Sequence, residues 1–159
     1  MNQLALTDGG RRPDALLHKV DTFVTMSVGD QIFGIPVGVT RDILVPNKIY
    51  HIPLTRDEVA GSVNLRGRIV TVIDMRARLR LGRTANKDQK GHRCVTVEYK
   101  GELYSLLIDG IGDIMELSTA LFEPLPTTLK QEWKDVCKGV YRLDNKILVI
   151  LDIERFLDI

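Results

Sequence analysis

The chain has 159 residues, with 22 lysines and arginines against 21 aspartates and glutamates and a formal net charge of +1. That balance, with aromatic residues at only 6%, excludes the basic field and the interleaved aromatic face of a nucleic-acid binder. An apolar share of 44% is that of a globular chain, and no apolar run is long enough to cross a bilayer.

Taken in chain order, residues 1–20 are turn-rich through Thr7-Asp8-Gly9-Gly10-Arg11-Arg12-Pro13 and are expected to be a flexible N-terminal segment. They lack the basic-then-apolar order of a signal peptide, so a cytoplasmic location is expected. Ala15-Leu16-Leu17 suggests at most a short turn. Phe23 to Val28 alternates, Gly29-Asp30 turns, and Gln31 to Val37 alternates again, which reads as a β-hairpin. Pro36 has no N–H and belongs at a strand end, edge or bulge. A loop with Pro46 and Pro53 follows. Thr55-Arg56-Asp57-Glu58 has the form of a capping box before Val59. Gly61 to Met75 reads as a second hairpin ending at Asp74, which is placed to cap a helical turn over Met75 to Leu79. Thr84 to His92 is polar and reads as a linker.

Cys94 to Met115 then repeats Phe23 to Leu44 without a gap, and Gly139 to Ile153 repeats Gly61 to Met75. In the first pair Val24-Thr25 falls on Val95-Thr96 and Asp42-Ile43 on Asp113-Ile114. In the second, Asp74-Met75 falls on Asp152-Ile153. The loop between them carries Pro124 and Pro126, and Leu129 to Val136 reads as two helical turns. Asp152 is placed to cap a last helix over Ile153, Phe156 and Leu157. Alternation alone makes any two hairpins look alike, but it does not demand the same order twice or the shared aspartates. A mostly β chain of two similar lobes follows, about 21–81 and 94–159, with short helices and with room for the first strand to pair with the other lobe. Each lobe is too small to bury a strong core alone. The two should pack together, each curled into a barrel of about five strands.

Little in the sequence reads as catalytic. His18, His51 and His92 are scattered and none stands at metal-ligand spacing. Gly110-Ile111-Gly112 is too sparse for a phosphate loop, and the hydrolase and metalloprotease signatures GxSxG and HExxH are missing. Asp74, Asp109, Asp113 and Asp152 read as strand-end caps or turn residues rather than as an acid–base pair. Cys94 and Cys137 read as free thiols. The unusual stretch is Gly61-Ser62-Val63-Asn64-Leu65-Arg66-Gly67, at a hairpin tip. Asn64 and the glycines are residues that accept special turn dihedrals. Arg66 either points into water or offers a rigidly placed fork of donors beside an apolar loop residue, which suits a protein interface.

These segments, together with Ile32-Phe33-Gly34-Ile35-Pro36-Val37, the string through Asp74-Met75-Arg76, and Leu107-Ile108-Asp109-Gly110-Ile111, resemble the CheW-like family over about Asp21 to Ile159. The family comprises coupling proteins of bacterial chemotaxis and the related regulatory domain of the chemotaxis histidine kinase. The resemblance implies two five-stranded, SH3-like β-barrel lobes with a hydrophobic groove between them, no catalytic residue, no cofactor and no metal. It implies as partners the regulatory domain of the kinase and the cytoplasmic tip of methyl-accepting chemoreceptors, with no nucleic acid and no direct membrane insertion. It places the protein in the cytoplasm, at receptor arrays on the inner face of the membrane.

Carried over residue by residue, the likeness assigns partner binding to Asp42, where the family more often has glutamate, and to the loop Asn64, Leu65, Arg66 and Gly67. It adds Ile108, Asp109 and Ile111 at the start of the strand lining the groove in the second lobe. Val39, Thr40 and Ile43 complete the expected groove. Thr40 stands where the family usually has valine, Thr71 where it often has proline, and Ser62 where an apolar residue is usual, which leaves the identity of the partner open. The alternatives are an adaptor for a different receptor–kinase array, which neighbouring genes would distinguish, and a small β-barrel ligand-binding protein or enzyme, which an enclosed pocket with converging polar groups would favour.

Overall fold

A computed structural model of the chain describes residues 19–45, 48–81 and 93–158. The expected flexible segment up to residue 18, the Thr84 to His92 linker, Pro46, His18 and His92 lie outside the described residues. Among the described residues there are ten strands: β1 (Val20–Val28), β2 (Gln31–Pro36), β3 (Thr40–Leu44), β4 (Val59–Leu65), β5 (Arg68–Asp74), β6 (Arg93–Tyr99), β7 (Glu102–Ile108), β8 (Gly110–Ser118), β9 (Cys137–Arg142) and β10 (Ile147–Leu151). The described residues also form the one-turn helices α1 (Met75–Arg78), α2 (Gln131–Lys134) and α3 (Ile153–Phe156), with 3-10 turns at Val37–Val39 and Thr119–Leu121.

The strands form two five-stranded sheets, in the orders β8-β1-β2-β10-β9 and β3-β6-β7-β5-β4. Replacing each strand of the first order by its repeat mate gives the second order. Each lobe therefore draws on both halves of the sequence. The hairpin β1–β2 joins β8, β9 and β10 in lobe 1, and the hairpin β6–β7 joins β3, β4 and β5 in lobe 2. The expected split at about 21–81 and 94–159 allowed only a single strand to cross, whereas a whole hairpin crosses in each direction. The reason is visible in the central pairs. β2 runs parallel to β10, with Phe33 opposite Val149, and β5 runs parallel to β7, with Thr71 opposite Tyr104. Parallel neighbours cannot be joined by a tight turn, so the partner hairpin has to come from elsewhere in the chain.

Irregularities repeat as well. The ladder shifts between Thr40 and Asp42 on β3, and β1 shows the matching shift against β8, where Met26 faces Ile111. Gly61 and Gly139 sit at equivalent shifts in β4 and β9. A Cβ on Gly61 would strike the Tyr50 carbonyl, and one on Gly139 would strike the Phe122 ring and the Glu123 carbonyl. Those close approaches are where the chain after each edge strand returns to pair, Tyr50 with Ser62 and Glu123 with Val140. Each sheet is thereby closed on itself, which covers two edges that would otherwise be open.

Burial follows the alternation. Phe23, Tyr141, Leu148 and Ile150 fill lobe 1, and Val63, Val70, Val72, Cys94 and Leu107 fill lobe 2. The opposite faces of the same strands meet between the lobes in one large cluster that includes Val24, Met26, Phe33, Val95, Val97, Leu106, Val149 and Phe156. With both faces covered, β10 reads Ile-Leu-Val-Ile-Leu, and β5 is buried from Val72 to Asp74. Trp133 packs on Phe33 and donates its indole N–H to the Leu79 carbonyl at 2.9 Å, linking α2 to the end of α1. Asp74 and Asp152 cap α1 and α3 as expected, accepting from Arg76 N at 3.0 Å and Arg155 N at 3.3 Å. Thr55 to Glu58 is not a helix start. Thr55 Oγ1 donates to the Ile52 carbonyl, Glu58 is buried beside Arg56, and the segment turns into β4. The span from Leu129 to Val136 holds one helical turn, α2, rather than two.

Candidate docking edges

The hairpin tip between β4 and β5 pairs Leu65 with Arg68, leaving Arg66 and Gly67 as the two loop residues. Both have positive φ, 52° and 84°, the requirement of a type I′ turn. The special dihedrals fall on Arg66 and Gly67 rather than on Asn64, whose Oδ1 instead accepts from Gly67 N at 2.9 Å and locks the turn. Arg66 does not simply point into water. Its guanidinium pairs with Asp42 at 3.1 Å while the side chain stays 80% exposed. Because β3 and β4 are the two ends of the lobe 2 sheet, this ion pair spans the curled barrel. It gathers Asp42, Asn64, Leu65, Arg66 and Gly67 onto one surface. Leu65, half-buried at this surface, packs with Leu44 against the lobe 2 interior.

Along β3, side chains alternate between half-buried and exposed. Val39 rests on the central cluster, Thr40 and Asp42 are half-buried, and Ile43 is exposed. The Thr40 hydroxyl donates to the Pro36 carbonyl at 3.2 Å, so it already has a partner and its burial costs little. Arg41 spans to Glu98 at 3.0 Å.

Of the remaining expected residues, Ile108 ends β7 in lobe 2, Asp109 lies in the crossover and Ile111 is across the seam. Ile111 belongs to lobe 1, opposite Met26, and is 40% exposed, with Ile114 next to it on β8 more exposed still. Ile111 is the repeat mate of Thr40, and Ile114 of Ile43. These positions are thus two equivalent edges flanking the seam, one per lobe, each beginning where the chain crosses from one sheet to the other. Ile108 is a correction. It is 1% exposed and belongs to the central core, because every residue of β7 from Ser105 on is buried. Nor does Asp109 present itself outward. Its carboxylate accepts from Gly29 N at 2.7 Å and from Arg76 Nη2 at 3.1 Å. That hydrogen bond is the main influence holding the Arg76 guanidinium above its ordinary value, against the opposing effect of burial. Arg76 was given no role from sequence. Its partner stands 33 residues away, a distance no local spacing reveals.

Among the described residues no group of three or more His, Cys, Asp or Glu side chains is arranged to hold a metal ion, and no helix is long and apolar enough to cross a membrane. Cys94 and Cys137 are free and buried, and burial pushes each thiol up to about 12.

Comparison with known proteins agrees with this geometry. Residues 22–159 match the CheW-like domain. "Chemotaxis protein CheW" of Helicobacter pylori is 26% identical over 140 residues, covering 88% of this chain and 83% of that one. The protein of the same name in Rhizobium meliloti is 25% identical, with 94% and 88% covered. The crystal structure of the scaffolding protein TtCheW from Thermoanaerobacter tengcongensis has the same fold, with a TM-score of 0.77 at 23% identity over 89% of this chain and 94% of that one. With the domain match spanning nearly all of its length, the chain belongs to the CheW-like family of chemotaxis proteins.

Proposed function

We propose that the chain is a non-catalytic adaptor that couples the cytoplasmic tips of chemoreceptors to the regulatory domain of the chemotaxis histidine kinase. The observation that carries this reading is the pair of equivalent edges flanking the seam. Each holds exposed isoleucines, Ile43 on one and Ile111 with Ile114 on the other, on a frame whose central strands are covered on both faces. Exposed apolar residues on rigid elements suit docking. A helix laid in a groove is a common way of using such a surface. On the lobe 2 edge the Asp42–Arg66 pair stands beside the apolar positions and would set the register of a partner, since charged groups contribute specificity more than raw affinity.

Val39, Thr40, Ile43, Leu65 and Ile111 would line the receptor site, with Asp42, Asn64, Arg66 and Gly67 at its polar rim. The protein would work at the inner face of the membrane through protein contacts, without cofactor or metal. Titration of a soluble receptor-tip fragment and of the kinase regulatory domain against the chain tests this. Saturable binding of both is expected, and binding of neither would overturn it.

A further inference from the structure

The chain crosses from one sheet to the other at residues 36–40 and again at 108–111. The repeat makes Asp109 the counterpart of Gly38, yet the two crossovers are built differently. The Asp109 carboxylate accepts from Arg76 Nε at 3.3 Å, from Arg76 Nη2 at 3.1 Å and from Gly29 N at 2.7 Å. Its own backbone N–H donates to the Ser27 carbonyl at 3.1 Å. Arg76 stands on α1 at the end of a lobe 2 strand, while Ser27 belongs to β1 and Gly29 to the β1–β2 turn of lobe 1. One side chain therefore ties both lobes to the start of β8. The approach is close here as well, since a Cβ on Gly110 would come within 3.0 Å of Ser27 Oγ. At the other crossover, a Cβ on Gly38 would meet no atom within 4 Å, and the counterparts of Arg76 and Gly29 are Glu154 and Lys100.

We infer that Asp109 is a positioning residue that clamps the start of β8, and with it Ile111, in a fixed place relative to the β3 edge of lobe 2. Its effect on partner binding runs through that placement and not through contact with the partner. The apolar packing along the seam attracts without direction. A two-point guanidinium–carboxylate pair fixes orientation as well as distance, and here it is completed by a backbone amide from the opposite lobe. At the Gly38 crossover the position of Asp109 carries no side chain; the Gly38 carbonyl instead accepts from Arg41 Nη1 at 2.7 Å, and Arg41 pairs with Glu98 within lobe 2. The consequence for binding rests on the adaptor reading, but the clamp itself can be measured without any partner.

The experiment places spin labels on cysteines introduced at exposed Ile69 of β5 and Glu116 of β8, the native Cys94 and Cys137 being buried, and measures the label–label distance by pulsed EPR. A single narrow distribution is expected for the parent. Asp109→Ala and Arg76→Ala should each broaden or shift it by more than about 2 Å, the scale that separates rearrangement from side-chain adjustment. The double variant should be no worse than either single, as two halves of one interaction behave. Each should also weaken receptor-tip binding by about tenfold, the scale of a lost interface anchor. Should Asp109→Ala fail to fold, Asp109→Asn, which keeps an acceptor for Gly29 N but loses the charge, and Arg76→Lys carry the same comparison. Unchanged distances in the folded variants would overturn the clamp. So would weakened binding in Asp109→Ala with parent binding in Arg76→Ala, which would make Asp109 a direct contact. A parent that binds no receptor tip would defeat the adaptor reading alone, and the distances would still decide the clamp.

Discussion

Replacing Arg66 by alanine separates docking from folding. The guanidinium is 80% exposed and its ion pair with Asp42 lies at the surface. Exposed pairs contribute about 0.2–1 kcal/mol and are screened by salt, so a loss of about 0.5 kcal/mol is expected. For a chain of this size that lowers Tm by about 1–2 °C. Alanine inherits the left-handed backbone of the turn, φ 52°, and gains nothing there. Arg66→Gly removes that strain, of order 1–2 kcal/mol, and should melt at or above the parent temperature. Both variants remove the fork of donors that pairs with Asp42. Both should bind the receptor tip or the kinase domain at least about tenfold more weakly, as loss of an arginine anchor does. The assay is a thermal melt beside a titration with each partner. A drop in Tm of more than about 6 °C in Arg66→Ala, or parent-like binding by Arg66→Gly, would refute the reasoning, because the side chain would then be holding the barrel or doing nothing at the interface.

Ile111→Asp should abolish receptor-tip binding in a folded protein, while Thr40→Val should leave affinity level or slightly raised, since the hydroxyl it removes is already bonded to Pro36; titration with melts alongside decides both. Gly139→Ala should cost about 3 kcal/mol or more in a denaturant titration, because the added Cβ displaces Phe122 and breaks the two Glu123–Val140 backbone hydrogen bonds of 2.9 Å. Cys94 and Cys137, with thiols pushed up to about 12 by burial, should resist a disulfide reagent at pH 8 in the native state and react fully in denaturant. Rapid native labelling would show that the core opens.

Much of this architecture is legible in the sequence, for physical reasons. Asp74 and Asp152 announce their caps because a short acceptor before an apolar helical turn has one good use. Gly29-Asp30 announces its turn in the same way, and the repeat announces two equivalent lobes. The exchange of hairpins is not legible, because alternation records which face of a strand is buried and not which strand lies beside it. Ile108 misled for a related reason. A strand buried on both faces carries the same apolar run as one that lines a groove, and only the three-dimensional neighbours distinguish them. The positive φ of Arg66 was hidden by a tempting neighbour, since Asn64 is the better left-handed residue, but the register of Leu65 with Arg68 places the turn two residues later. The roles of Asp109 and Arg76 depend on a contact between crossover and helix that exists only after the lobes have packed.

The most direct test of the adaptor account is co-sedimentation of the kinase with receptor-bearing membranes as this chain is added. The account predicts that recruitment of the kinase rises with the amount of chain, saturates, and is lost with Arg66→Ala and with Ile111→Asp while both variants remain folded. Recruitment that is independent of the chain, or that both folded variants support as well as the parent, would contradict it.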